Sequence, residues 1–202
     1  IRKPDSFIFI STVAVYGLES GQKIKENHPL NGNSPYALSK ILAENYLEHW
    51  CRSNSVELTI LRLPLVIGKD APGNLMKMSN AIEKGRYFRI GKGNARKSVV
   101  LADDVAKLCL EDYLKEGVFN LTDGHDPKFK DIENALAKKF HKRIVSIPAI
   151  FIKLISRIGD FIEFIPINSA TYSKITSDLT FDDSKARKVL NYKSRAIIDN
   201  QD

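Results

Sequence analysis

Long uninterrupted apolar runs are missing from this chain of 202 residues. Its most apolar stretch, Pro148 to Pro166, is broken by Lys153, Arg157, Asp160 and Glu163, too many charges for a spanning helix. Cysteine is scarce as well. The two present, Cys51 and Cys109, form no C-x-x-C pair and no Cys/His cluster, which excludes a disulfide framework and a thiolate metal cage. Such usage fits a reducing cytosol. A glycine-rich phosphate loop is also lacking, since the nearest run, Gly91-Lys92-Gly93, has the wrong spacing. The opening Ile1-Arg2-Lys3-Pro4-Asp5 carries charge but leads only into Phe7–Ile10, short of a secretory leader. The first residue is not methionine, so a fragment of a longer protein is expected.

What is there describes a globular domain. Hydrophobic residues make up 43% of the chain against 27% charged, which rules out a disordered polyelectrolyte and leaves enough apolar surface for a core. The net charge of +7 suits anionic ligands. Lysine and arginine are nevertheless scattered, without a dense basic helix or an aromatic stacking platform, so a nucleic-acid partner is discounted.

The run FIFISTVAVYG, Phe7–Gly17, is β-branched and aromatic and closes on glycine, a strand followed by a turn. Continuous apolarity from Phe7 to Ile10 predicts a strand covered on both faces. After a polar stretch, Ser34-Pro35 opens a helix with serine as its cap and proline at the first position. Leu38, Ile41, Leu42, Tyr46 and Trp50 give that helix an apolar face. VELTILRLPLVIG, Val56–Gly68, reads as the next strand, completing a βαβ unit with parallel strands. Beyond a soft boundary near residue 70, helices are expected at Leu75–Lys84, from an Asp103 cap to about Leu114, at Asp131–Phe140, in the amphipathic 150–164 segment and at Asp183–Leu190. Strands are expected at Tyr87–Ile90, Lys97–Leu101 and Val118–Leu121.

The sharpest chemical feature is Tyr36-Ala37-Leu38-Ser39-Lys40. Positions four apart share a helix face, so a phenol and an ammonium can enter one pocket, and the cation favours the phenolate. Alone, a Tyr-x-x-x-Lys pattern is common. Ser11 and Thr12, however, end the first strand, where α/β folds place their ligands. Strand-tip hydroxyl, helical tyrosine and lysine together make a hydrogen-bonding set for a carbinol or ketone.

FIFISTVAVYG, NSPYALSK and LTILRLPLVIG, in that order, resemble the extended short-chain dehydrogenase/reductases, the NAD-dependent nucleotide-sugar epimerase/dehydratase group. The resemblance runs over most of the chain and is most specific over residues 7–68. It implies an α/β fold, with the back half of a Rossmann-like parallel sheet in residues 1–70 and a smaller α/β substrate-binding part in 71–202. It implies Thr12, Tyr36 and Lys40 as catalytic residues, NAD or NADP as cofactor, and cofactor contacts from Ser11, Tyr36, Lys40 and the Pro64, Leu65, Val66 backbone. Asn74, Leu75, Phe88, Ile90 and Arg96 match the family's contacts to a nucleotide-diphosphate sugar. Arginine suits a pyrophosphate because its planar fork makes paired charge-assisted bonds. The family's Arg-Pro-x-x-Val-Tyr-Gly segment stands here as Arg62-Leu63-Pro64-Leu65-Val66-Ile67-Gly68, with the proline displaced by one and Ile67 in place of the aromatic.

The family's opening βαβ with its glycine loop has no counterpart in this sequence, so the chain reads as the C-terminal two-thirds of an enzyme, retaining the catalytic set but binding NAD(P) poorly and turning over little by itself. The tail resembles the branch that acts at C4 of UDP-N-acetylhexosamines in surface-polysaccharide synthesis. A cytoplasmic homodimer through the Tyr36 helix follows from the resemblance. Two rival readings remain: a non-catalytic nucleotide- or partner-binding member of the same fold, and a membrane-surface or partner-docking protein using residues 148–166, where core or lid packing is the plainer account.

Overall fold

The computed structural model describes residues 3–68, 74–111, 114–148, 150 and 169–196. The expected amphipathic segment at 150–164 lies almost wholly outside the described residues. Among the described residues no helix is long and apolar enough to cross a membrane.

The first strand, β1 (Ser6–Thr12), runs into a 3-10 turn at Val13–Tyr16 that Gly17 closes in the left-handed conformation. A short β2 (Gly21–Ile24) precedes α1 (Pro35–Asn54), which begins where Ser34 Oγ accepts the Ala37 N–H at 3.1 Å. Then come β3 (Glu57–Leu63) and β4 (Leu65–Ile67), separated by Pro64, which has no N–H to offer a ladder. Strands β1 and β3 are parallel, as the βαβ reading requires. The sheet is completed by β7 (Gly117–Asn120) in the order β1-β3-β7, so one strand is supplied from beyond residue 70.

Alternation along β3 sorts the two faces. Leu58 and Ile60 pack with Phe9, Val118, Leu47, Trp50 and Cys51 beneath α1. Leu61 and Leu63 point the other way, into a core built from α3 (Ala102–Cys109), Phe119, Leu121 and the final α6 (Ser184–Val189). Burying each such aliphatic side chain contributes about 1.5–3 kcal/mol. A second core joins α2 (Asn74–Glu83) to α4 (Phe129–Lys139) through Met78, Ile82, Val99, Ile132 and Ala137. Three further parallel pairs surround the sheet: β4 with β6 (Val99–Leu101), β5 (Phe88–Ile90) with β8 (Val145–Ile147), and β2 with β9 (Leu179–Phe181). Helix α5 (Ser169–Thr176) leads into β9.

Several expectations are corrected. Strand β1 is not covered on both faces: it stands at the edge of its sheet, with Phe7 and Ile10 exposed. Of the apolar face expected on α1, Ile41 and Trp50 pack inward. Leu38, Leu42 and Tyr46 are exposed while Ala37, Glu44 and Cys51 are buried. Asp103 does not cap α3; Leu101 holds that position without a side-chain bond, and Asp103 lies in the first turn, where a negative charge meets the helix dipole. Strands β2, β8 and β9 and helix α5 were not expected at all.

Candidate active site

Thr12 ends β1 in an extended conformation, and its Oγ1 accepts the Ala14 N–H at 3.2 Å, capping the 3-10 turn. Two glycines fold the next loop back onto that turn. A Cβ on Gly17 would stand 2.3 Å from the Asn31 carbonyl oxygen, and Gly17 has φ 70°. A Cβ on Gly32 would meet the Ala14 oxygen and the Ala37 side chain, each at 2.6 Å. Gly32 is thus wedged between the turn that follows Thr12 and the residue that follows Tyr36. Only hydrogen fits there, and this close approach sets the start of α1 against the tip of β1.

One turn into α1, Lys40 reaches the same strand. Its Nζ donates to the Ile10 carbonyl at 2.9 Å and lies 4.8 Å from the centre of the Phe9 ring. Tyr36 is 57% exposed, so its phenol faces open space rather than the core. Lys40 is thereby tied to β1 two residues before Thr12, near the carboxyl end where open α/β sheets bind ligands, and Tyr36 lies one turn earlier on the same helix.

Ser11 behaves differently from its neighbour. Consecutive strand residues face opposite sides, and Ser11 turns under α1, buried, with its hydroxyl donated to Glu44. The Ser11 hydroxyl, expected to contact the cofactor, gives its hydrogen to Glu44. Glu44 also binds Arg62, whose Nη2 donates at 2.6 Å and Nε at 3.1 Å. Arg62 Nη1 donates to the Tyr16 hydroxyl, which donates to Asn120 at 2.7 Å. Burial pushes the Tyr16 phenol up against the opposing pull of Arg62. Burial works against the Arg62 cation, yet its bonds to Glu44 and Tyr16 leave it held more firmly protonated than usual. Glu44, Arg62, Tyr16 and Asn120 were not singled out from the sequence. The available signal was a charge, Arg62, inside the apolar run of β3: at alternation it shares the helix-facing side with Leu58 and Ile60, and a buried charge requires a partner.

The cofactor-side backbone expected at Pro64, Leu65 and Val66 continues β3 into β4, which pairs with β6, and all three residues are half-buried. The expected substrate residues lie downstream. Asn74 begins α2, and Leu75 packs against the Met78–Ile132 core. Phe88 is exposed at the start of β5, while Ile90 lines a cavity of about 190 Å³ with Gly91, Asn94, Phe129, Glu133 and Tyr172. Arg96 is exposed, and its guanidinium donates to the Asp126 carbonyl at 3.0 Å. Its backbone N–H binds Asp178 at 2.7 Å, and this bond holds that carboxyl below its usual range. Between Phe88 and Ile90, Arg89 turns inward to Glu133 and Asn134, and Tyr87 donates to Glu133 at 2.6 Å, which with burial drives the Tyr87 phenol far upward.

The parallel strands β1 and β3 joined through α1 make the βαβ unit of a Rossmann-like fold. The chain belongs to the NAD dependent epimerase/dehydratase family, whose profile matches residues 1–120. It is 29% identical over 148 residues to the N-acetyl-alpha-D-glucosaminyl-diphospho-ditrans,octacis-undecaprenol 4-epimerase of Escherichia coli O157:H7, covering 70% of this chain and 44% of that protein. It is 36% identical over 110 residues to a putative UDP-glucose 4-epimerase of Methanocaldococcus jannaschii, covering 51% and 36%. Among solved structures, the Thermotoga maritima UDP-glucose 4-epimerase with UDP-glucose superposes on 98% of this chain and 60% of its own, with a TM-score of 0.69 at 21% identity, a likeness of fold. The chain thus spans less than half the length of those two sequence relatives.

Proposed function

We propose that these residues form the carboxyl-terminal part of an NAD(P)-dependent enzyme that acts by hydride transfer at C4 of a nucleotide-diphosphate sugar, a UDP-N-acetylhexosamine in surface-polysaccharide synthesis. The observation that carries this reading is the Gly32 wedge, which packs the turn after Thr12 against Ala37 at the start of α1, while Lys40 anchors on Ile10. Residues 1–70 serve as the back half of the dinucleotide-binding domain and 71–202 as the sugar-binding part, with β7 returned to the first sheet.

The residues present fit the nicotinamide end of the cofactor in kind: a hydroxyl ends β1, an exposed phenol opens α1 and an ammonium is held against the Ile10 carbonyl. Bound there, a nicotinamide supplies reversible hydride exchange. Thr12 Oγ1 hydrogen-bonds the reacting sugar oxygen. Tyr36 Oη takes the proton from that oxygen and returns it, general acid–base chemistry worth about 10²–10⁴-fold in rate. The Lys40 ammonium stabilises the phenolate by charge and holds the nicotinamide ribose. Arg96 grips the sugar diphosphate, with Asn74, Leu75, Phe88 and Ile90 around the nucleotide. By themselves residues 1–202 carry no glycine-rich phosphate loop, so they bind NAD(P) weakly and turn over little.

The outward apolar stripe of α1, Leu38, Leu42 and Tyr46, supports a homodimer across this helix in a cytosolic setting. The test is a full-length protein that includes the family's glycine-rich segment, incubated with NAD(P) and UDP-glucose, UDP-N-acetylglucosamine or N-acetylglucosaminyl-diphospho-undecaprenol and followed by NMR. Inversion at C4 is expected with the UDP-N-acetylhexosamine. Tight binding of every sugar without turnover would instead establish a non-catalytic member of the fold.

A further inference from the structure

One level of the central sheet is polar across all its strands. Ser11 is paired in register with Arg62, and Arg62 with Asn120. All three are buried, and so are the two residues that close the row: Glu44, one turn beyond Lys40 on α1, and Tyr16, at the end of the 3-10 turn that Thr12 caps. Arg62 also donates to the Glu26 carbonyl at 3.1 Å, and Asn120 donates to the Ile24 carbonyl at 3.1 Å. The loop leading to α1 is thereby held by the same row.

We propose that Ser11, Glu44, Arg62, Tyr16 and Asn120 form a positioning device that fixes the Tyr36–Lys40 helix against Thr12. This rests on the catalytic reading above. Two connections give the row its direction. Ser11 is the residue before the strand-tip hydroxyl, and Glu44 lies on the helix that carries phenol and ammonium, so the Ser11–Glu44 bond joins that strand to that helix. Tyr16 ties the far end of the capped turn to the same arginine. A buried ion pair adds little net stability, since apolar residues of similar size serve a core equally well. What directional bonds supply, and apolar packing does not, is a single register between helix and strand. The reacting groups need such a register, because a misplacement of about 1 Å costs about 10²-fold in rate.

The experiment compares Ser11→Ala, Glu44→Gln and Tyr36→Phe in the full-length protein, measuring kcat, KM for the sugar nucleotide and thermal unfolding. Ser11→Ala removes one hydroxyl and leaves the Glu44–Arg62 pair intact. It is expected to lower kcat about tenfold with KM within about twofold and an unchanged unfolding midpoint, while Glu44→Gln lowers kcat about 10²-fold. Ser11→Thr, which keeps the hydroxyl, should restore most of kcat. If Tyr36→Phe abolishes turnover while Ser11→Ala and Glu44→Gln retain wild-type kcat, the row is purely structural and the proposal is overturned. A rise in KM at constant kcat overturns it equally. If Tyr36→Phe itself keeps full turnover, the catalytic reading fails first and the proposal with it. Should Glu44→Gln not fold, Ser11→Ala decides alone.

Discussion

Helices α1 and α4 use one internal device and opposite exteriors. Each buries a glutamate against a strand arginine: Glu44 with Arg62, Glu133 with Arg89. Around Glu133 the helix is ordinary, with Ile132 and Ala137 buried in the core and Asn134, Lys138 and Lys139 in water. Around Glu44 the apolar residues are divided, Ile41, Leu47, Trp50 and Cys51 packing inward while Leu38, Leu42 and Tyr46 are exposed. A helix whose apolar residues look outward gains nothing from them in the isolated chain. The difference is that α1 adds a buried row of directional bonds to its packing and leaves part of its apolar surface exposed, as α4 does not.

Breaking the ion pair beneath α1 is expected to have the largest effect. Arg62→Met leaves Glu44 buried without its cation, and chemical denaturation should show a loss of about 3–5 kcal/mol. A loss below about 1 kcal/mol would mean that Glu44 is reached by water. On α4, Ile132→Ala should cost about 2–4 kcal/mol through lost burial and a cavity. The matching truncation on α1, Leu42→Ala, should stay within about 0.5 kcal/mol in a monomer, because Leu42 is 68% exposed. Leu42→Asp sharpens the contrast differently: in sedimentation of the full-length protein it should shift dimer to monomer with no loss of fold, and an unchanged dimer would place the interface elsewhere.

The smallest effect concerns pH. The Arg96 N–H, foremost, and the Gln22 amide hold the Asp178 carboxyl below its ordinary value of 3.8. A lowered carboxyl stabilises the fold fully above the unfolded value, and that contribution disappears as pH falls through the lower folded one. Asp178→Asn should therefore destabilise slightly at neutral pH, with the gap to wild type closing below pH 3.8.

Much of the first region could be read before any coordinates. Phe7–Gly17, Ser34-Pro35 and Val56–Gly68 each carry a local signal, whether β-branching, a cap or a glycine stop; the first two became the expected elements, while the third, expected as one strand, is split at Pro64 into β3 and β4. Exposure was less legible. Alternation and helical spacing show which residues share a face, not what covers it, so Phe7–Ile10 was expected to be covered on both faces although Phe7 and Ile10 are exposed. Strands β2, β8 and β9 are three or four residues long and pair with distant partners, so nothing local marks them. The site divides the same way. Tyr36, Lys40 and Thr12 stood out by spacing and type, while the row beneath them is visible only when register aligns Ser11, Arg62 and Asn120. Charged and amide residues read singly resemble solvated surface.

The central claim is that a phenol on α1 moves the proton of a sugar hydroxyl bound at the tip of β1. Its most direct test is the pH profile of C4 conversion by the full-length enzyme and its Tyr36→Phe variant. The account predicts that the variant loses at least about 10²-fold in kcat across the profile with little change in sugar affinity. Wild-type turnover from a protein without that hydroxyl would contradict it.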